Sequence, residues 1–169
     1  MQTFLPYNDF KKSLAVIDDK RLGKQRVESF QILNNLLGRP KKDGTPYKGW
    51  TNHPCCVMWR GYENALKLYL NDSINEWVLR GRNNTMEHEI ISGEIKMPWW
   101  MGFEDFHSSH RANLLRKDPE YYSKFGWTED PTDPYVWHDK ENKWYKQKVG
   151  IPEKIYYEKV ASPRYSSYI

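Results

Sequence analysis

Between Asp18 and Leu37 the chain reads DDKRLGKQRVESFQILNNLL. At about 100° per residue, Leu22, Phe30, Leu33, Leu36 and Leu37 share one stripe, which predicts an amphipathic helix. The helix should stop at Gly38-Arg39-Pro40. Arg26 falls inside the apolar stripe, so its charge needs a partner if it is buried. Upstream, residues 1–8 read as extended, with Thr3, Phe4 and Leu5 able to dock and Pro6 ending the segment. Asp9 is placed to cap a short helix reaching Ile17.

Downstream, residues 39–52 form a loop rich in Gly, Pro and Lys. Pro54 suits the first turn of a third helix running toward Leu70. Arg60, Glu63, Asn64 and Lys67 occupy one narrow arc of it, and the rest is apolar, as in a central, buried helix. Asp72 or Ser73 can cap a further turn or two through Arg80, with Glu76 placed for a capping box. Residues 81–104 show no dominant period. Asp105 opens another helix, and Asp118-Pro119 opens a shorter one ended by Gly126. The runs Tyr135–Trp137 and Lys143–Tyr145 flank Asp139–Asn142 as a β-hairpin would. The predicted fold class is therefore mainly α. Residues 1–150 form a single compact helical domain with a hairpin or short strands near its C-terminal end, and residues 151–169 form a tail or arm.

Length and charge add modest constraints. A chain of 169 residues is long enough for one hydrophobic core. Its formal charge of +4 permits nucleic-acid binding without requiring it. Eight Trp and twelve Tyr are many for this length, and such rings can stack on unpaired bases as well as pack a core. Cys55 and Cys56 are adjacent, so a disulfide between them would be strained, and both read as reduced thiols of a cytoplasmic protein. The first ten residues lack the basic and apolar regions of a signal peptide, and no stretch is apolar enough to span a membrane.

Three clusters carry candidate chemistry. In the first, Glu28 lies off the apolar stripe among Arg21, Lys24 and Gln31, downstream of Lys20 and Arg21. A lone carboxylate on a basic helix face suits an enzyme that binds an anion and moves a proton. The plainer alternative is a surface pair between Lys24 and Glu28, worth a few tenths of a kcal/mol. In the second, Trp50 precedes His53 at a helix start, where the positive helix end favours a neutral imidazole. That histidine could serve as a base, or simply as a cap.

The third cluster is His107-Ser108-Ser109-His110-Arg111. Its two histidines share a face, but two ligands with no cysteine pair or HExxH pattern do not make a zinc site. A hydrogen-bonding role is favoured, with no metal and no cofactor. Arg111, Arg116 and Lys117 add donors suited to phosphate. Trp100, beside Trp99, is either a core plug or a stacking wedge. No Walker motif, dinucleotide-binding glycine loop or serine-hydrolase elbow is present.

Taken together, MQTFLPYNDF, DDKRLGKQRVESFQIL, GWTNHPCCVMWRGYENAL, MPWWMG, FHSSHRANLLRKDPEYY and DPYVW resemble the pyrimidine dimer DNA glycosylases of bacteria and phages. The resemblance covers most of residues 1–137. In that family a glutamate on the first long helix is catalytic and follows a leucine by six residues, a spacing Leu22 and Glu28 keep. The family's nucleophile is the N-terminal amine, which here implies Met1, although bulky Gln2 should prevent removal of that methionine. Arg21, Lys24 and Arg26 occupy the region that faces DNA phosphates, and Trp144-Tyr145-Lys146 is similar to an aromatic C-terminal motif of the family.

The resemblance implies a DNA glycosylase, with or without abasic-site lyase activity, that removes damaged or modified pyrimidines from double-stranded DNA. Met1, Glu28 and His53 are the expected catalytic residues. Arg21, Lys24, Arg26, Trp50, Trp100, His107, His110, Arg111 and Lys117 are the expected DNA contacts. The protein is expected to work as a monomer, without a membrane. The alternatives are an N-glycosidic hydrolase acting on modified nucleotides and a non-catalytic nucleic-acid-binding protein on the same scaffold.

Overall fold

The structure, a computed structural model, describes residues 1–158. Within them the fold is mainly helical, with one small antiparallel sheet toward the C-terminal end, as the pattern predicts. Of the expected tail, residues 159–169 lie outside the described residues. Contacts divide the chain into two compact units. One comprises Met1–Phe4 and Asp9–Pro98; the other comprises Leu5–Asn8 and the described residues from Trp99 onward.

The first unit contains α1 (Phe10–Val16), α2 (Asp19–Leu36), α3 (Pro54–Trp59) and α4 (Glu63–Leu79). Asp9 caps α1 by accepting the Lys12 N–H at 2.7 Å. Asp18 caps α2 by accepting the Arg21 N–H at 3.1 Å, and its other oxygen pairs with the Arg21 guanidinium at 2.7 Å. Both α1 and α2 pack against α4. Leu22, Ile32 and Leu33 of α2 and Leu66, Tyr69, Leu70 and Ile74 of α4 are buried in this unit.

The buried face of α2 is rotated from the expected stripe. Phe30 and Leu37 are exposed, whereas Gln25 and Ser29 are buried. Polar side chains can occupy a core only when their hydrogen bonds are made. Gln25 meets that condition at the site described below, and Ser29 returns its hydroxyl to the carbonyl of Gln25. Gly23 lies where an added Cβ would come within 3.3 Å of the Trp77 ring, so its lack of a side chain admits that indole against α2.

The single helix expected from Pro54 toward Leu70 is instead two. Arg60-Gly61-Tyr62 breaks it, with Gly61 at φ +86°, a left-handed conformation natural to glycine. The Gly61 N–H is then taken by Glu63 at the head of α4 (2.9 Å). No cap interrupts α4 at Asp72 or Ser73. Both are buried mid-helix, and Ser73 bonds the Leu70 carbonyl at 2.6 Å. Glu76 pairs with Arg80 rather than closing a capping box.

The polar face of α4 explains the aperiodic stretch after it. Asn64 donates to the carbonyls of Ser92 and Glu94, Lys67 to that of Ile90, and Asn71 to that of Glu89. Asn71 also accepts the Glu89 N–H at 2.8 Å. Side chains spaced along one helix face thus take the place of a neighbouring strand. Arg39 adds a two-point ion pair to Glu89, at 2.7 and 2.9 Å.

The second unit contains α5 (Glu104–Lys117), α6 (Pro119–Tyr122), a 3-10 turn at Ser123–Phe125, and strands β1 (Tyr135–His138), β2 (Trp144–Gln147) and β3 (Ile155–Tyr156). The strands run β1-β2-β3, all antiparallel, with His138 opposite Trp144 and Tyr145 opposite Tyr156. Asp139 closes the first hairpin by accepting the N–H groups of Glu141 and Lys143. No described helix is long and apolar enough to cross a membrane.

Candidate active site around Glu28

The site begins as a problem of main-chain satisfaction. Residues 1–4 are extended yet pair with no strand, and buried N–H and C=O groups need partners. Side chains of the first unit supply them. Gln2 N–H donates to Oε2 of Glu28 at 2.9 Å. Phe4 N–H donates to Oε1 of Gln25 at 2.8 Å, one helical turn before Glu28. The Tyr69 hydroxyl lies 2.7 Å from that same Oε1 and 3.0 Å from the Phe4 carbonyl. Trp59 Nε1–H donates to Oγ1 of Thr3 at 2.9 Å. Thr3 N–H donates to Oε1 of Gln2 at 2.9 Å.

Cys55 completes the arrangement from α3. Its sulfur is 3.4 Å from Gln2 Oε1 and 3.7 Å from the Met1 carbonyl. Burial pushes the thiol up to about 12, so it keeps its proton and acts as a donor. His53 caps α3 by accepting the Cys55 N–H on Nδ1 at 3.2 Å, which leaves the neutral ring's proton on Nε2. Burial, and after it the positive charge of the Met1 amine, push His53 down to about 4. The imidazole is therefore neutral near pH 7.

Met1, Glu28 and His53 are thus drawn together, and the connection runs through the peptide joining Met1 to Gln2. Glu28 accepts that peptide's N–H rather than forming the surface pair with Lys24 that its spacing allowed. A carboxylate one peptide bond from an α-amine can stabilise positive charge and relay protons where that amine reacts.

Other expected contacts are placed as follows. Lys24 is exposed one turn before Glu28. Trp50 is exposed, with its ring edge-to-face against His53 at 5.3 Å. Arg21 is engaged by Asp18. Arg26 finds the partners its position demanded, though neither is acidic: its guanidinium lies 4.2 Å from the Trp77 ring centre, and it donates to Asn84 Oδ1 at 2.7 Å.

In the second unit Trp100, His107 and His110 are buried, so in this conformation they present no ring to DNA. The two histidines bracket Leu5. His110 Nδ1 accepts its N–H at 2.8 Å, while His107 Nδ1–H donates to its carbonyl at 2.8 Å and Nε2 accepts the Gly102 N–H. Burial holds both rings neutral. Arg111 is committed to Glu104, Glu129 and the Pro6 carbonyl. Lys117 is exposed in the last turn of α5. Among the described residues no group of three His, Cys, Asp or Glu is arranged to hold a metal.

Sequence reasoning missed Gln2, Gln25, Cys55, Trp59 and Tyr69. One signal was available: Gln25 and Ser29 follow Leu22 by three and seven residues, so polar groups recur on the face that Leu22 buries.

A model of the family described as pyrimidine dimer DNA glycosylase matches residues 1–90, the segment that holds Met1, Glu28 and His53. No curated protein and no solved structure matches the chain.

Proposed function

The chain belongs to the pyrimidine dimer DNA glycosylase family, and from that premise we propose that it excises damaged pyrimidines through an imine formed on the Met1 amine, with Glu28 as the acid–base group. The observation that carries the reading is the 2.9 Å bond from Gln2 N–H to Glu28. It ties the carboxylate to the peptide that follows the amine, which supports this reading.

The neutral amine attacks C1′ of the damaged nucleotide, forming an N–C1′ bond as the glycosidic bond breaks. The leaving base takes the glycosidic electron pair and is then protonated. Glu28, as carboxylate, stabilises the positive charge that develops on the sugar. Opening of the sugar ring gives the imine. Glu28 then removes a proton from C2′, the electron pair enters the conjugated system, and the 3′ phosphate departs. Water finally hydrolyses the imine, freeing the amine. His53, neutral and carrying its proton on Nε2, can donate a hydrogen bond to the substrate beside the amine.

Borohydride trapping tests this on DNA carrying cyclobutane pyrimidine dimers. A chain starting at Met1 should give a covalent adduct, and one extended by Gly-Ser ahead of Met1 should give neither an adduct through Met1 nor normal base release. Glu28→Gln should abolish turnover with little change in DNA affinity. Equal base release from both starts, with no adduct from either, would replace the amine with activated water and make the protein a hydrolytic glycosylase.

A further inference from the structure

Of the eight tryptophans, Trp50 is the most exposed, at 42%; the others are buried or half-buried. An indole left in water contributes little to folding. Its main chain is nevertheless fixed. The Trp50 carbonyl accepts the His53 N–H at 2.9 Å, closing a tight turn. Arg60 donates to the Thr51 carbonyl at 3.0 Å, and Asn35 of α2 donates to the Tyr47 carbonyl at 2.5 Å. The ring's edge-to-face contact with His53 sets its orientation. His53 in turn accepts the N–H of Cys55, whose sulfur lies 3.7 Å from the Met1 carbonyl. A rigidly mounted, exposed indole therefore stands next to the residue that borders the reacting centre.

The surrounding charge selects what can cover the ring. Lys41, Lys42 and Lys48 are exposed on the same loop, with one acid, Asp43, among them. Asp43 is exposed too, with one oxygen accepting the N–H and hydroxyl of Thr45, so the three lysines outnumber it. A loop that carries exposed cations together with an exposed aromatic ring suits a polyanion that carries flat rings. Opening DNA at a damaged step supplies such a ring, because the lesion lowers the cost of unstacking.

We propose that Trp50 is a specificity-determining residue that stacks on a nucleobase displaced at the damaged step, beside the Met1–Glu28 centre. This rests on the glycosylase reading above. The base is either the damaged pyrimidine or the base opposite it; both present the same π-face to the indole.

The test uses the full chain carrying Glu28→Gln, so that binding is read without turnover, and adds Trp50→Ala or Trp50→Phe. Affinity is measured for a duplex with one cyclobutane dimer and for the same duplex undamaged. Trp50→Ala should lower the damaged-to-undamaged affinity ratio about 10-fold or more, the loss of one base–aromatic stack, and Trp50→Phe should restore most of it. Because the ring lies outside the core and its main packing contact is the His53 ring, the melting temperature should fall only slightly in Trp50→Ala and less in Trp50→Phe. Placing 2-aminopurine opposite the dimer separates the two sources. A fluorescence change on binding that depends on Trp50 identifies the opposite base, and a change indifferent to Trp50 identifies the damaged pyrimidine.

An unchanged affinity ratio in Trp50→Ala, with the parent still preferring damaged DNA, would overturn the proposal alone. If the parent shows no preference for damaged DNA, the glycosylase reading fails and this proposal fails with it.

Discussion

Replacing Gln25 with Met probes how the amino-terminal segment is held. Gln25 is 1% exposed, and its Oε1 accepts both the Phe4 N–H and the Tyr69 hydroxyl. Met is close to Gln in size and flexibility, so little cavity is created. Tyr69 can turn its single proton to the Phe4 carbonyl, already 3.0 Å away. The Phe4 N–H loses the acceptor that Gln25 provides. The cost is one buried donor left unmade, about 1–3 kcal/mol. Urea denaturation should show a lower midpoint at unchanged slope. Amide exchange at Phe4 should accelerate, because that bond no longer protects it. Turnover should fall more than substrate affinity, since a shift of about 1 Å in a reacting group can cost about 100-fold. A stability change below about 0.5 kcal/mol together with unchanged Phe4 exchange would refute the claim that Gln25 holds this segment.

Two further outcomes follow from charge. His53 and His107 are each pushed down to about 4 from an ordinary 6.5. Between these values the unfolded chain binds protons that the folded chain refuses, so stability is full above pH 6.5 and declines as pH falls toward 4. The slope is up to about 1.4 kcal/mol per pH unit for His107 and smaller for half-exposed His53, where solvent screens the effect. Urea midpoints should drop from pH 7 to pH 5, and His53→Asn, which keeps a capping side chain without titrating, should flatten part of that decline. Equal midpoints at the two pH values would contradict the buried neutral rings. For DNA binding, Lys24→Ala should reduce the slope of log affinity against log salt by about 0.9, whereas Arg21→Ala should mainly loosen the start of α2 through loss of its Asp18 pair. Equal slopes in Lys24→Ala and the parent would remove Lys24 from the phosphate contacts.

The helical class, α1, α2 and the C-terminal hairpin were legible because each is announced locally: Asp9 as a cap, the helical period of α2 with Gly38 as its stop, and Asp139–Asn142 as a turn between aromatic runs. The break between α3 and α4 was not. Gly61 sits in an apolar-rich run that a continuous buried helix would also show, and only its left-handed conformation separates the cases. Segment 83–96 was illegible for a different reason. Between Glu89 and Glu94 its backbone is bonded by Asn64, Lys67 and Asn71, so no period in its own sequence records the pairing. Glu28 could be read because its spacing from Leu22 is a sequence quantity. That Glu28 bonds the Gln2 N–H depends on three-dimensional placement and could not be.

The way the site is held has a consequence for its variants. In a sheet the Phe4 N–H would be paired by another backbone amide, and most substitutions would leave that pairing intact. Here its acceptor is the Gln25 side chain, the Gln2 N–H depends on Glu28, and Thr3 Oγ1 is bonded by Trp59. Each bond that orients Met1 is therefore exposed to mutation of a single side chain, and of these only Glu28 takes part in the proposed chemistry. Gln25 and Tyr69 share one oxygen, so their effects should be strongly non-additive. Tyr69→Phe removes the alternative donor to the Phe4 carbonyl but leaves Gln25 on the Phe4 N–H, so it should cost less than Gln25→Met. The double variant should cost less than the sum, because the hydroxyl that Gln25→Met redirects is already gone. In the proposed mechanism Glu28 then has two functions in one side chain: proton transfer in the reaction, and support for the peptide bond that follows the Met1 amine. Glu28→Gln keeps an oxygen able to accept the Gln2 N–H while removing the charge, so it separates the two, whereas Glu28→Ala would remove both.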